Sequence, residues 1–250
     1  MVAQQYNLDV ISNNLANVNT NAFKQQRAEF QDLMYQTFRA AGATNAGVQL
    51  PHAVQIGLGS RFSASSTSFR PGSLQATENP LDVAIIGDGF FALQRPDGTT
   101  AYTRDGSFKR DATGLLVTSD GYTVEPNVTI PADARAITIS RSGDVSAIIG
   151  NDTNPTILGN MTIATFANPA GLTRTGQNLF LSSAASGNAI VQTPGENGAG
   201  YLQSEFVEGS NVQVVEEMVR MILAQRAYEI NSKAIQTADD MLGILNQLKR

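Results

Sequence analysis

Among the 250 residues, the run that most invites a chemical reading is Gly87-Asp88-Gly89-Phe90-Phe91-Ala92. It has the G-x-G-x-x-A spacing with which a strand-to-helix turn receives a dinucleotide pyrophosphate. Such glycines work only when they open a helix whose N-terminus faces the phosphates. Here Phe-Phe-Ala-Leu-Gln-Arg runs straight into Pro96 and leaves no room for that helix, so the run predicts a tight turn between strands and no cofactor. Asp-Gly pairs at 88–89, 97–98, 105–106 and 120–121 could suggest calcium. No D-x-[DN]-x-[DN]-G run with a glutamate at its twelfth position accompanies them, and hairpin turns are the better account. A single histidine, His52, and no cysteine exclude multi-histidine cages, thiolate sites and disulfides. His52 sits beside Pro51 in a loop-like stretch and reads as a surface residue. No G-x-S-x-G elbow precedes a helix. Glu216-Glu217 and Asp239-Asp240 are adjacent on a helical stretch, so the members of each pair diverge and form no dyad. The chain reads as a non-enzyme, with no catalytic, cofactor-binding or metal-binding residue.

Composition narrows the alternatives. Net charge is −5 with 16% charged residues, and no basic patch accumulates, which argues against nucleic acid as a partner. No apolar run approaches the roughly 18 residues of a membrane span, so direct membrane insertion is not expected. No Lys or Arg precedes Lys24, which removes the charged start of a cleaved secretory signal. The surface that remains is rich in Asn, Thr, Ser, Gln and Gly, as suits contact with other protein.

The elements that would position any function are two terminal helices around a long non-helical middle. Ala227, Ile230, Ala234, Thr237, Met241, Ile244 and Leu248 step by alternating threes and fours, the spacing of a helical seam. Tyr228, Ile235, Ala238, Leu242 and Leu245 form a second row beside it. Ser210 followed by Gln213 predicts a capping box and a helix start there. At the other end Met1, Leu8, Ile11, Leu15 and Val18 stand in heptad register, interrupted by Gln4. Residues 212–248 would span about 55 Å as a helix and residues 1–18 about 27 Å. About half of the long helix must therefore find partners on other chains. The candidate assembly residues are Leu8, Ile11, Leu15, Val18, Ala227, Tyr228, Ile230, Ala234, Ile235, Met241, Leu242, Leu245 and Leu248.

From Asn79 the pattern turns to period two. Leu81–Ile86, Phe90–Arg95, Thr100–Arg104, Leu115–Thr118, Tyr122–Glu125, Ile137–Ser140, Val145–Ile149, Ile157–Phe166 and Leu179–Ser182 read as strands at hairpin spacing. Gln25–Phe38 could be a helix and Gly57–Phe69 looks extended, and the residues force neither assignment. The expected fold class is mixed α and β, an all-β module inserted between terminal helices. The expected divisions are 1–20 (N-terminal helix, pairing with 211–250), 21–78 (extended connection), 79–205 (β-rich outer domain) and 206–250 (C-terminal helix).

Three blocks of residues carry a resemblance. Asn7-Leu8-Asp9-Val10-Ile11-Ser12-Asn13-Asn14-Leu15-Ala16-Asn17-Val18-Asn19-Thr20-Asn21-Ala22-Phe23-Lys24 resembles the N-terminal signature of flagellar rod and hook proteins. Asn79–Phe91 together with Tyr102-Thr103-Arg104-Asp105-Gly106-Ser107-Phe108 resembles the middle motif of that family. Ser210–Val212, Met221–Lys233 and Thr237–Leu242 resemble its closing stretch. The blocks stand in family order and span nearly the whole chain. Gly57-Leu58-Gly59 before the β module and the modest length favour a rod member over a hook member. Family members usually begin some residues earlier, with more of the N-terminal helix.

The resemblance implies a helical homopolymer: a hollow shaft in the flagellar basal body that crosses the periplasm, transmits torque to the hook and encloses the export channel. The terminal helices would form a coiled-coil tube, with Gln225, Asn231, Ser232, Gln236 and Asn246 facing the lumen, and the β module would form the outer wall. Implied partners are the chain itself, other rod proteins, the hook protein and the periplasmic and outer-membrane ring proteins. Export without a cleaved signal peptide is implied as well. A β-rich binding module with helical oligomerisation tails is the alternative from another class.

Overall fold

The computed structural model describes residues 1–39, 44–45, 48–49, 52–150 and 154–248. It has the expected mixed architecture, a helix at each end and a large β-rich middle. Helix α1 runs Val2–Ala16 and helix α2 runs Val214–Leu248. The chain divides into two compact units: Met1–Ala16, Gln26–Thr67 and Gln213–Arg250 form the first, Asn17–Gln25 and Ser68–Val212 the second.

In the first unit α1 packs against α2 and against a long two-stranded ribbon. The ribbon leaves along Gln26–Asp32 and Tyr35–Arg39 and returns along Val54–Gly57 and Ser60–Thr67, antiparallel throughout. Gln25–Phe38, where a helix is one open reading of the residues, is strand at Gln26–Asp32 and Tyr35–Arg39. Its Gln, Arg, Glu, Leu and Met favour a helix locally, but strand pairing overrides that weak preference. Phe30 pairs with Phe62, and Phe62 in turn stacks on Tyr6 of α1 with ring centroids 5.1 Å apart. A helix at 26–32 would forfeit the Phe30–Phe62 pairing. The extended reading of 57–69 agrees with the strand Ser60–Thr67.

The second unit is a β assembly whose hub is Phe90–Gln94. This strand pairs antiparallel with Thr100–Thr103, Thr123–Glu125 and Ile163–Thr165 within a nine-stranded sheet. Because strand side chains alternate, Phe91 and Leu93 enter one apolar cluster with Val83, Ile85, Phe108 and Ile163, while Phe90 and Ala92 enter a second with Tyr102, Phe166 and Phe180. Burial on both faces is why the run is apolar without alternation.

Several sequence expectations need correction. Ile157–Phe166 is two strands, Thr156–Asn160 and Ile163–Thr165, in different sheets; the break falls at Met161, which is fully buried. Asp97-Gly98 and Asp120-Gly121 do close hairpins. Asp88-Gly89 does not, because the strand before it, Val83–Ile86, pairs with Tyr201–Ser204 and not with Phe90–Gln94. Asp105-Gly106 is no hairpin either: Asp105 accepts the backbone N–H and hydroxyl of Ser107, and Gly106 passes close under Val83. Ser210 does not cap α2. Its hydroxyl accepts from the N–H of Val212, and the first helical bond runs from Glu217 N–H to Gln213 C=O. Asn211 is already engaged there, with its side-chain oxygen on the Gln25 N–H and its amide on the carbonyls of Ser68 and Arg70. Those bonds hold the chain out of helical geometry until Val214. Val18, expected on the N-terminal seam, lies beyond the end of α1.

Candidate functional site

The seam residues are exposed to an extent that no folded core explains. Among the described side chains of α2, Glu217 and Ala224 are buried. Ala227 is half-buried, and Tyr228, Ile230, Ala234, Ile235, Met241, Leu242 and Leu245 are exposed. The side chain of Leu248 lies outside the described residues. On α1, Ile11 is buried, and Leu8 and Leu15 are half-buried. Length accounts for the difference. At about 1.5 Å per residue, the 15 residues of α1 cover about 22 Å of a helix about 52 Å long. The N-terminus of α1 comes beside Asn231, Ala234, Ile235 and Ala238, while its C-terminal end meets Glu217, so the two helices run antiparallel. An apolar row of Met241, Leu242, Ile244 and Leu245 continues past that contact, exposed among the described residues.

Two buried polar clusters, which periodicity does not reveal, hold the motif residues. In the first unit Asn14 is buried. Its side-chain oxygen accepts the Gln26 N–H at 2.9 Å, and its amide donates to the Gln26 carbonyl at 2.8 Å and to Glu217 Oε2 at 3.2 Å. One side chain thus copies a strand's backbone pairing at the start of the ribbon and ties it to α2. The adjacent glutamates differ in burial, Glu217 buried and Glu216 exposed, but do not simply diverge: both reach Arg220, at 2.8 and 3.5 Å, as helical ion pairs three and four residues apart.

In the second unit Lys24, Arg104 and Glu208 meet in the interior. Lys24 Nζ lies 2.6 Å from Glu208 Oε1 and Arg104 Nε 2.9 Å from Glu208 Oε2, with all three side chains at most 3% exposed. Lys24 also donates to the Arg70 carbonyl, and Glu208 Oε1 accepts the Gly72 N–H. From its two terminal nitrogens Arg104 also donates to the carbonyls of Ile85, Gly87 and Gly89. This settles the G-x-G-x-x-A run. Gly87 and Gly89 take φ of +106° and +146°, strand geometry resumes at Phe90 without a helix, and the turn's carbonyls are held by an arginine of the protein itself.

Burial pushes the Glu208 carboxyl up, but the charges of Arg104 and Lys24 and their hydrogen bonds outweigh it and hold it below the usual carboxylate range. Burial, then the Arg104 charge, pushes the Lys24 ammonium down to about 8 from 10.5, against the pull of Glu208. The signs follow from linkage. A depressed carboxylate contributes stability above its unfolded pKa and loses it as pH falls through the folded one. A depressed lysine leaves the folded state with fewer protons, so stability rises as pH climbs from 8 toward 10.5. The denaturation midpoint of the wild type should therefore gain on that of Lys24→Met across this alkaline range. A constant difference between the two proteins would refute the assignment.

Three family models match this chain in order. Residues 1–24 match the flagella basal body rod protein model, residues 84–147 the flagellar hook protein FlgE/F/G D1 domain model, and residues 203–248 the flagellar basal body rod FlgEFG protein C-terminal model. Lys24, Arg104 and Glu208 each come from a different one of the three. The class so defined is the axial subunit of the bacterial flagellum. Full-length relatives narrow it. The flagellar basal-body rod protein FlgG of Borreliella burgdorferi is 53% identical over all of this chain and 96% of its own length. That of Agrobacterium fabrum is 51% identical over 99% of this chain and 95% of its own. The flagellar hook-basal body complex protein FlhP of Bacillus subtilis is 32% identical over 98% and 94%. The chain belongs to the FlgG family of flagellar basal-body rod proteins, which are structural and not enzymatic. No helix among the described residues is long and apolar enough to cross a membrane.

Proposed function

We propose that this chain polymerises through its terminal helices into the hollow distal rod, the shaft that transmits torque to the hook and encloses the export channel. The observation that carries the reading is the apolar face of α2, with Ile230 66%, Met241 61% and Leu245 61% exposed on a helix more than twice as long as its partner. Exposed apolar patches on this scale mark sites of protein association. The helices Val2–Ala16 and Val214–Leu248 form the inner coiled-coil tube, the ribbon from Gln26 to Thr67 the connection and the second unit, which takes in 206–212, the outer wall. Leu8 and Leu15 on α1 and the α2 seam from Ala227 to Leu248 make the contacts between copies, while Ile11 is already buried within its own chain. Gln225, Asn231, Ser232, Gln236 and Asn246 line the lumen, where a polar wall suits the passage of unfolded chains. Proximal rod proteins and the hook protein continue the shaft, and ring proteins surround it.

Electron microscopy of the purified protein at rising concentration tests this reading. Filaments with a central channel, growing in length with concentration, are expected. Oligomers of fixed size at every concentration would favour a β-rich binding module with helical oligomerisation tails.

A further inference from the structure

We propose that the Lys24–Arg104–Glu208 cluster is a latch that closes last in folding, so that the second unit stays open until residues 206–212 have joined it. Charge is the first reason. Lys24 and Arg104 are two buried cations that share one carboxylate. Gathering them before Glu208 arrives would strip both of water and set like charges together, with neutral backbone carbonyls as partners and no counterion. The ammonium cannot settle early.

Backbone pairing says the same. The Ala22 N–H donates to the Glu208 carbonyl at 2.7 Å, the Asn211 N–H to the Phe23 carbonyl at 3.3 Å, and the Gln25 N–H to Asn211 Oδ1 at 2.7 Å. The segment 17–25 is thus seated on the stretch that ends the unit. Arg174 and Asn178 donate to the carbonyls of Lys24 and Asn21, but these bonds leave the ammonium unneutralised. Sequence distance adds to the delay: Glu208 lies 184 residues from Lys24 and 104 from Arg104, so both contacts close long loops.

In a chain delivered from its N-terminus, residues 17–25 are among the first to appear and the last to dock. An incomplete chain cannot present a finished second unit. For a subunit that must enter a polymer whole, the latch withholds partial chains. That consequence rests on the proposed function; the order of folding does not.

Stopped-flow folding of the full chain tests it, followed by tyrosine fluorescence because tryptophan is absent. Glu208→Gln should speed unfolding by about 100-fold and Lys24→Met by about 10-fold, with refolding unchanged within about threefold, the pattern of contacts absent from the transition state. Should Glu208→Gln fail to fold, Lys24→Met carries the measurement, since it keeps the Arg104–Glu208 pair. Refolding slowed in proportion to lost stability would put the cluster in the folding nucleus and overturn the proposal, as would unchanged rates in both directions. These rates are read below the polymerisation threshold, so a failure to form filaments leaves them interpretable.

Discussion

Polymerisation is expected to vanish in Ile235→Asp and in Leu242→Asp, with the melting midpoint of the second unit unmoved. Ile235 is 49% and Leu242 59% exposed in the single chain, so neither substitution removes a core contact. Substitutions at such positions usually change stability by less than about 0.5 kcal/mol. In a polymer the same positions must become dry. A carboxylate without a partner then costs several kcal/mol at every subunit contact. Since each 1.4 kcal/mol is a factor of ten, a penalty of about 3 kcal/mol raises the concentration needed for assembly more than 100-fold. Sedimentation measures assembly, and calorimetry the second unit. Filaments of normal length from either variant would mean that this face of α2 is not the one that packs.

Gly106→Ala should unfold the second unit or leave it severely weakened. A Cβ at Gly106 would overlap the Val83 carbonyl oxygen and press on the Phe91 ring. The backbone there cannot retreat: the Val83 N–H donates to the Gly106 carbonyl at 3.0 Å, and Asp82 bridges Ser107. Overpacking of this kind against backbone is expected to cost at least about 3 kcal/mol. In a chain of this size that lowers the melting midpoint by roughly 10 °C. Gly98→Ala is the control. Its φ of +79° strains an alanine, but the Cβ meets only open space, and about 1 kcal/mol is expected. Equal midpoints for the two variants would show that the crossing at Gly106 is looser than its geometry.

How much of this was legible from residues alone can be judged element by element. The strands from Val83 to Leu181 follow apolar runs punctuated by Asp-Gly and Pro turns, and most lie within a residue or two of where those signals put them. Both helices were placed by apolar residues stepping in threes and fours. The ribbon at 26–39 was not legible, because helix-favouring residues there gain more from Phe62 and the returning strand than from their own propensity. The start of α2 was misplaced for a related reason: Asn211 takes the capping stretch for its own long-range bonds.

The sequence by itself determined the absence of a thiolate or multi-histidine site, the class of the fold, and a C-terminal helix too long for its partner. Those are matters of composition, local period and length, and they need no knowledge of what lies far along the chain. Only the tertiary structure decided that Lys24, Arg104 and Glu208 share one interior, and that Asn14 binds Glu217, 203 residues further along the chain. A buried charge leaves no periodic trace. It is stable solely because of a partner that folding brings to it, and nothing near Lys24 in the chain announces that its counterion waits at residue 208.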